Sequence, residues 1–188
     1  MIYLASGSPR RRTLLRKAGI RFTVLRPAYV EVHRDSGSAA ALTKKHALGK
    51  ALSVVPQVRN GIILGADTVV VHKGLILGKP RNMKAAEKML GGLLGRRHFV
   101  MTAVALIKVR NGAVQKRSVF NEKSEVYLKS LEHRRLLGYL KRIGPLDKAG
   151  AYAAQKTGEG VVERVKGSFS NVVGLPIEKL QKHLRMLR

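Results

Sequence analysis

The clearest chemical signal is Gly65-Ala66-Asp67-Thr68-Val69-Val70. An aspartate inside an apolar, β-branched run costs on the order of several kcal/mol unless it is paired or bound to a cation. Placed on a rigid strand, such a carboxylate suits a divalent metal or a general base. The plainer alternative is an Asp at a strand end or bulge that bonds to backbone. Gly78-Lys79-Pro80 comes one hairpin later, so Lys79 is expected to point to the same place. This is no P-loop, because Pro80 stands where the hydroxyl residue would be and the spaced glycine is missing.

A second signal is Ser6-Gly7-Ser8-Pro9-Arg10-Arg11-Arg12. Cations are unfavourable at a helix N-terminus, so arginines in a first turn suggest that an anion is expected there. The Ser6 and Ser8 hydroxyls, free backbone N–H groups and the forked guanidiniums of Arg10 and Arg11 would together hold a phosphate chain. A solvent-facing basic turn is the competing reading. The third segment is Gly144-Pro145-Leu146-Asp147-Lys148-Ala149-Gly150-Ala151-Tyr152, with Gln155 just beyond. Its small residues permit close approach of a ligand, and a Gln amide, with both donor and acceptor, suits reading a base edge. The six histidines show no metal-ligand spacing, and neither His-Glu-x-x-His nor a nucleophile elbow occurs.

The elements that must position these groups follow from periodicity. Residues 2–5 read as a short buried strand, and Ser8 as an N-cap with Pro9 at the first helical position. That helix ends near Gly19, and a second strand covers 22–25. A helical pattern runs over 38–55, with Leu42, Ala47, Leu48 and Leu52 as its apolar members. The run 61–71 is a buried strand that turns at Lys73-Gly74 into 75–77. Residues 83–94 form an amphipathic helix. Long strands over 99–109 and 114–128 meet at Asn111-Gly112, a strong hairpin signal. A helix over 131–141, strands over 158–165 and 169–173, and a closing helix over 176–187 complete the chain. Helices mixed with long strands and hairpins indicate an α/β or α+β domain around a mixed sheet.

The 188 residues are 45% hydrophobic and 26% charged, an ordinary globular composition for one domain, 1–188. The chain has no cysteine, which excludes a disulfide framework, a thiolate zinc site and a cysteine nucleophile. The absence of a signal-peptide pattern suits a cytoplasmic location, and no apolar stretch approaches a membrane span, so no membrane partner is expected. The charge is the unusual number, with 37 Lys and Arg against 11 Asp and Glu, +26 net. It favours polyanionic partners, yet its even spread argues against a basic tail or one recognition helix.

Six blocks in order carry a resemblance: Leu4 to Arg12; Gly65 to Val70; Gly78-Lys79-Pro80; Gly95-Arg96-Arg97-His98 through Thr102-Ala103-Val104-Ala105; Pro145 to Tyr152; and Asn171-Val172-Val173-Gly174-Leu175-Pro176. The sequence resembles the Maf family of nucleoside triphosphate pyrophosphatases, from Leu4 to about Leu180. The resemblance implies an α/β fold similar to the inosine triphosphate pyrophosphatases, with a mixed central sheet flanked by helices and a cleft between two lobes. It implies cleavage of a nucleoside triphosphate to the monophosphate and pyrophosphate with Mg²⁺ or Mn²⁺, and relatives that are often homodimers. By family pattern Asp67 falls on the proton acceptor and Glu31 on a second acidic position that helps hold the metal. Ser6, Ser8, Arg11 and Lys79 fall among phosphate-binding positions. Arg10, Thr68 and Gln155 fall on positions that separate substrate subgroups, and this combination resembles the dTTP/UTP subgroup. One departure is His46, which stands in the helix where the family usually has a lysine.

Two functions follow as expectations. The first is a metal-dependent pyrophosphatase acting on dTTP and UTP. The second, drawn from the +26 charge, is a non-specific nucleic-acid binder on the same scaffold with weak or no catalysis. A pure binder has no use for Asp67 in an apolar strand or for Lys79 fixed before a proline.

Overall fold

Side-chain alternation along three long strands organises the fold. In the computed structural model, which describes residues 1–31, 37–154 and 160–187, the elements run β1 (Ile2–Ala5), α1 (Pro9–Lys17), β2 (Thr23–Leu25), α2 (Ala39–Leu52), β3 (Gly61–His72), β4 (Leu75–Leu77), α3 (Met83–Leu93), β5 (Arg97–Arg110), β6 (Ala113–Leu128), α4 (His133–Ile143), β7 (Val162–Lys166), α5 (Phe169–Val173) and α6 (Ile177–Leu187). The strands form a seven-stranded sheet ordered β2-β1-β3-β5-β6-β7, with β4 paired to β3. β1 is parallel to both β2 and β3, while β3 with β4 and β6 with β7 are antiparallel. The mixed sheet with flanking helices is the α/β class expected from the sequence.

The chain divides into two compact units. The first comprises Met1–Asp67, Thr102–Glu122 and Gly174–Arg188; the second comprises Thr68–Met101 and Lys123–Val173. Within the first, one buried cluster joins Leu4, Leu64, Ala66, Val104 and Leu106 to Leu15 of α1 and Leu180, Leu184 and Leu187 of α6. The other joins Ala5, Ile63, Ala103, Ala105 and Ile107 to Ala47 and Ala51 of α2. Neighbouring residues fall in different clusters because successive side chains leave a strand on opposite faces. Hence α1 and α6 cover one face and α2 the other. In the second unit Leu90 and Leu93 of α3 and Leu136, Tyr139 and Leu140 of α4 pack with Val100, Val126 and Leu128.

Local chemistry sets the ends of these elements. Ser38 caps α2 by accepting from the Ala41 N–H at 3.2 Å, and Asn82 caps α3 by accepting from the Ala85 N–H at 2.8 Å. The β5–β6 turn has φ of 52° at Asn111 and 78° at Gly112, both in the left-handed region that a tight hairpin turn of this kind requires. Two expectations need correction. Residues 169–173, whose aromatic and β-branched run reads as a strand, form the short helix α5. Its start is fixed by the Ser168 hydroxyl, which accepts from the Asn171 N–H at 3.1 Å. Its register is fixed by the buried Asn171 amide, which donates to the Val100 carbonyl at 3.1 Å and the Ser124 hydroxyl at 2.9 Å. The second correction concerns Ser8, which occupies the N-cap position of α1 but makes no side-chain cap bond.

Candidate active site

Asp67 lies at an odd-numbered position of β3, two residues beyond Gly65 and four beyond Ile63, and so faces α2. Its carboxylate Oδ1 accepts a 2.7 Å bond from the Lys50 ammonium, which also lies 2.6 Å from Oε1 of Glu31. One lysine thus bridges Asp67 and Glu31, the two acids to which the family resemblance gives the base and metal roles. The side chains are only 10% exposed for Lys50, 8% for Asp67 and 24% for Glu31, so the charges interact with little screening by water. Removing one member of such a buried cluster generally costs about 3–5 kcal/mol, because an uncompensated charge stays behind.

The backbone explains how Lys50 reaches a strand-borne carboxylate. A Cβ on Gly65 would collide with the Ala47 carbonyl oxygen and stand 2.9 Å from the Ala51 nitrogen. Only glycine at 65 therefore lets α2 settle directly on β3. Lys50 lies three residues after Ala47, on the same helical face, and the close approach carries its stem to Asp67. Glu31 arrives by a second contact. The Tyr29 ring occupies the space that a Cβ on Gly49 would fill, and its hydroxyl lies 3.0 Å from Nδ1 of His46. The Tyr29 and His46 rings meet edge to face, 5.7 Å apart. This dock on α2, two residues before Glu31, delivers the second carboxylate to Lys50.

The turn that leads into α1 is built around Arg11. Its Nη1 donates to the Ser6 hydroxyl at 3.0 Å and its Nε to the Gly174 carbonyl at 2.9 Å. The Ser6 hydroxyl also accepts from the Ser8 N–H at 3.3 Å. Ser6, Ser8 and Arg11 are therefore brought together, and the bonds hold the loop between β1 and α1 in shape. Burial pushes the Arg11 guanidinium below its ordinary value; Asp67 opposes this, Arg10 adds to it, and Glu31 opposes it. With Arg11 in electrostatic range, two carboxylates meet two cations. Arg10, next in the chain, is half-buried.

The second unit holds Lys79 and Thr68. Lys79 is exposed just after β4, and Thr68 is half-buried on β3. The Gly150 N–H donates to the Gly78 carbonyl at 3.2 Å, which ties the Gly144–Tyr152 segment to Gly78-Lys79-Pro80. Tyr152 is anchored in turn by a 2.8 Å bond to Nε2 of His98. Gln155 lies outside the described residues.

Sequence reasoning missed Lys50, which reads as one more cation of a basic helix. The signal was available in the face it shares with Ala47 and Ala51 and in the glycine two residues before Asp67. His46, which departs from the family's usual lysine, is the docking partner of Tyr29. Glu31 and Asp67 direct one oxygen each to a single point, and hard oxygen donors suit Mg²⁺ or Mn²⁺. No group of three or more His, Cys, Asp or Glu side chains that could hold a metal occurs among the described residues, so substrate oxygens and water would have to complete the coordination. The donor chemistry of this pair therefore fits a hard divalent cation.

An α/β sheet covered on both faces in the first unit, with the buried Asp67 and the half-buried Glu31 meeting at Lys50 of α2, defines a class of scaffold. The Staphylococcus aureus Ham1 protein shares that fold, with a TM-score of 0.55, 16% identity, and coverage of 100% of this chain and 99% of that one. The chain belongs to the Maf family, described as Maf-like protein, which matches residues 1–187. It is 38% identical over 187 residues to a dTTP/UTP pyrophosphatase of Methanosarcina mazei, covering 99% of this chain and 93% of the relative. It is 40% identical over 187 residues to one of Dictyoglomus thermophilum, covering 99% and 95%. No described helix is long and apolar enough to cross a membrane.

Proposed function

We propose that this protein hydrolyses nucleoside triphosphates, dTTP and UTP above others, to the monophosphate and pyrophosphate with the help of a divalent cation. The observation that carries this reading is the convergence of Glu31 and Asp67 on one point of a buried, otherwise apolar sheet face. Hydrolysis of a phosphoanhydride depends on positioning and charge neutralisation more than on covalent chemistry. Asp67 accepts a proton from water as the water oxygen bonds to phosphorus. The bridge between the α- and β-phosphates breaks, and its electron pair leaves with pyrophosphate. Glu31 and Asp67 would hold the cation, which would neutralise phosphate charge and lower the pKa of water. Arg11, Lys79 and the Ser6 and Ser8 hydroxyls take the remaining phosphate charge. Arg10, Thr68 and Gln155 select the base, a role motivated by the family positions and by the names of the relatives.

The test is a panel of nucleoside triphosphates assayed for pyrophosphate release with Mg²⁺ or Mn²⁺, and with EDTA as control. Selective release from dTTP and UTP that stops in EDTA supports the reading. Equal release from all bases overturns the selectivity alone, and silence from folded protein across the panel overturns the activity. The +26 charge favours a second reading, non-specific nucleic-acid binding. That reading requires the logarithm of duplex affinity to fall steeply with the logarithm of salt concentration, by about 0.9 per phosphate neutralised, and a flat dependence removes it.

A further inference from the structure

We propose that Lys50 is the built-in occupant of the two-carboxylate site, so that a divalent cation enters only by displacing its ammonium, which makes cation binding conditional on nucleotide. The inference rests on the reading of Glu31 and Asp67 as the cation-binding carboxylates. Each of them already spends an oxygen on Lys50 Nζ, at 2.6 and 2.7 Å. An ammonium and a divalent ion cannot share that point, since both want the same oxygens and repel one another in a site with little water.

Displacement needs only side-chain motion. α2 is packed on β3 through the buried Ala47 and Ala51, whereas the lysine's four-carbon stem is flexible, so rotation of that stem can carry the ammonium off the two oxygens. In the protein alone the displaced ammonium would leave two carboxylates for low-polarity surroundings. A bound triphosphate changes the balance, because it supplies fresh anionic oxygens to both Lys50 and the incoming cation. Nucleotide and cation affinities are then coupled, and linkage makes the coupling reciprocal. Lys50 is on this account a positioning residue, and its effect is read in cation affinity before any turnover.

The experiment is a titration of nucleotide-free protein with Mn²⁺, following the paramagnetic resonance signal of the free ion, for the wild type, Lys50→Met and the double variant Lys50→Met with Asp67→Asn. Thermal melts establish that each is folded. The expected result is Mn²⁺ binding roughly tenfold or more tighter in Lys50→Met than in the wild type, reversed in the double variant. Equal or weaker binding in folded Lys50→Met overturns the proposal. Should the Met variant fail to fold, Lys50→Gln, which removes charge but keeps a polar tip, is read in the same way. The outcome is separable from the activity. A wild type that shows the Mn²⁺ contrast but releases no pyrophosphate sinks the enzymatic reading alone, and one that hydrolyses dTTP without the contrast sinks only the role of Lys50.

Discussion

Each unit of the molecule buries a polar cluster, and the two are built on opposite principles. In the first, Glu31, Lys50 and Asp67 are charged and held by ion pairs of 2.6 and 2.7 Å. In the second, His98 meets Tyr152 at 2.8 Å, and the Tyr139 hydroxyl accepts from the Ala153 N–H at 3.0 Å while lying 3.3 Å from its carbonyl. That cluster is neutral: burial, with a smaller contribution from His72, pushes the His98 imidazole down to about 4, and burial raises both tyrosines. Neutral hydrogen bonds are the economical way to hold a buried segment, whereas buried charges are costly even when paired. A protein that keeps two carboxylates and a lysine in one small space therefore gains something other than stability from them. Chemistry is the gain that fits the first cluster; shape is the one that fits the second.

Mutations separate the roles of the two clusters. Gly65→Ala should have the largest effect. A methyl group forced against the α2 backbone at Ala47 is expected to cost about 3 kcal/mol or more and to draw Lys50 away from Asp67. Calorimetry should show a lower Tm, and pyrophosphate release should fall with it; an unaltered Tm would mean that α2 does not depend on this contact.

Next comes the pH dependence of the neutral cluster. An unfolded histidine takes up a proton near 6.5, while the folded protein withholds it from His98 until about 4. The resulting stability is fully present above pH 6.5 and is lost as pH falls from 6.5 toward 4, by at most about 3 kcal/mol. Urea unfolding at pH 7.5 and 4.5 should show that His98→Gln loses less stability between the two than the wild type does. Identical losses would show that His98 is not buried in neutral form.

Tyr139→Phe removes a hydroxyl that the Ala153 N–H uses, and should lower stability by about 1–3 kcal/mol in the same denaturation assay. The smallest effect belongs to Tyr29→Phe. It leaves the ring against Gly49 but deletes the bond to His46, for a loss of about 1 kcal/mol. Because Tyr29 carries Glu31 to the site, pyrophosphate release should also drop measurably, which a purely structural tyrosine would not cause.

Much of this fold was legible in the chain, and the failures have physical causes. The β3 run, the Asn111-Gly112 hairpin and the capped helices α2 and α3 are local signals, set by alternation, turn geometry and N-caps. Residues 169–173 were not legible, because the choice between strand and helix there depends on what the Asn171 amide meets 71 residues earlier, at Val100. Asp67 stood out since a carboxylate in an apolar strand demands a partner. The partner itself did not, because a lysine in a helix reads as solvated until the missing Cβ at Gly65 and the odd-numbered face of β3 bring α2 against the sheet. Glu31 rested on family resemblance alone. Nothing local marks an exposed-looking acid whose place is set by Tyr29 docking on Gly49.

The most direct test of the charged cluster's role is the rate of pyrophosphate release from dTTP by Asp67→Asn, at matched folded concentration and saturating Mn²⁺. Asparagine keeps the shape but can neither accept the proton nor bring negative charge to the cation. If Asp67 is the proton acceptor, kcat falls by about 10²–10⁴-fold. A folded Asp67→Asn protein that turns over dTTP at the wild-type rate would contradict it.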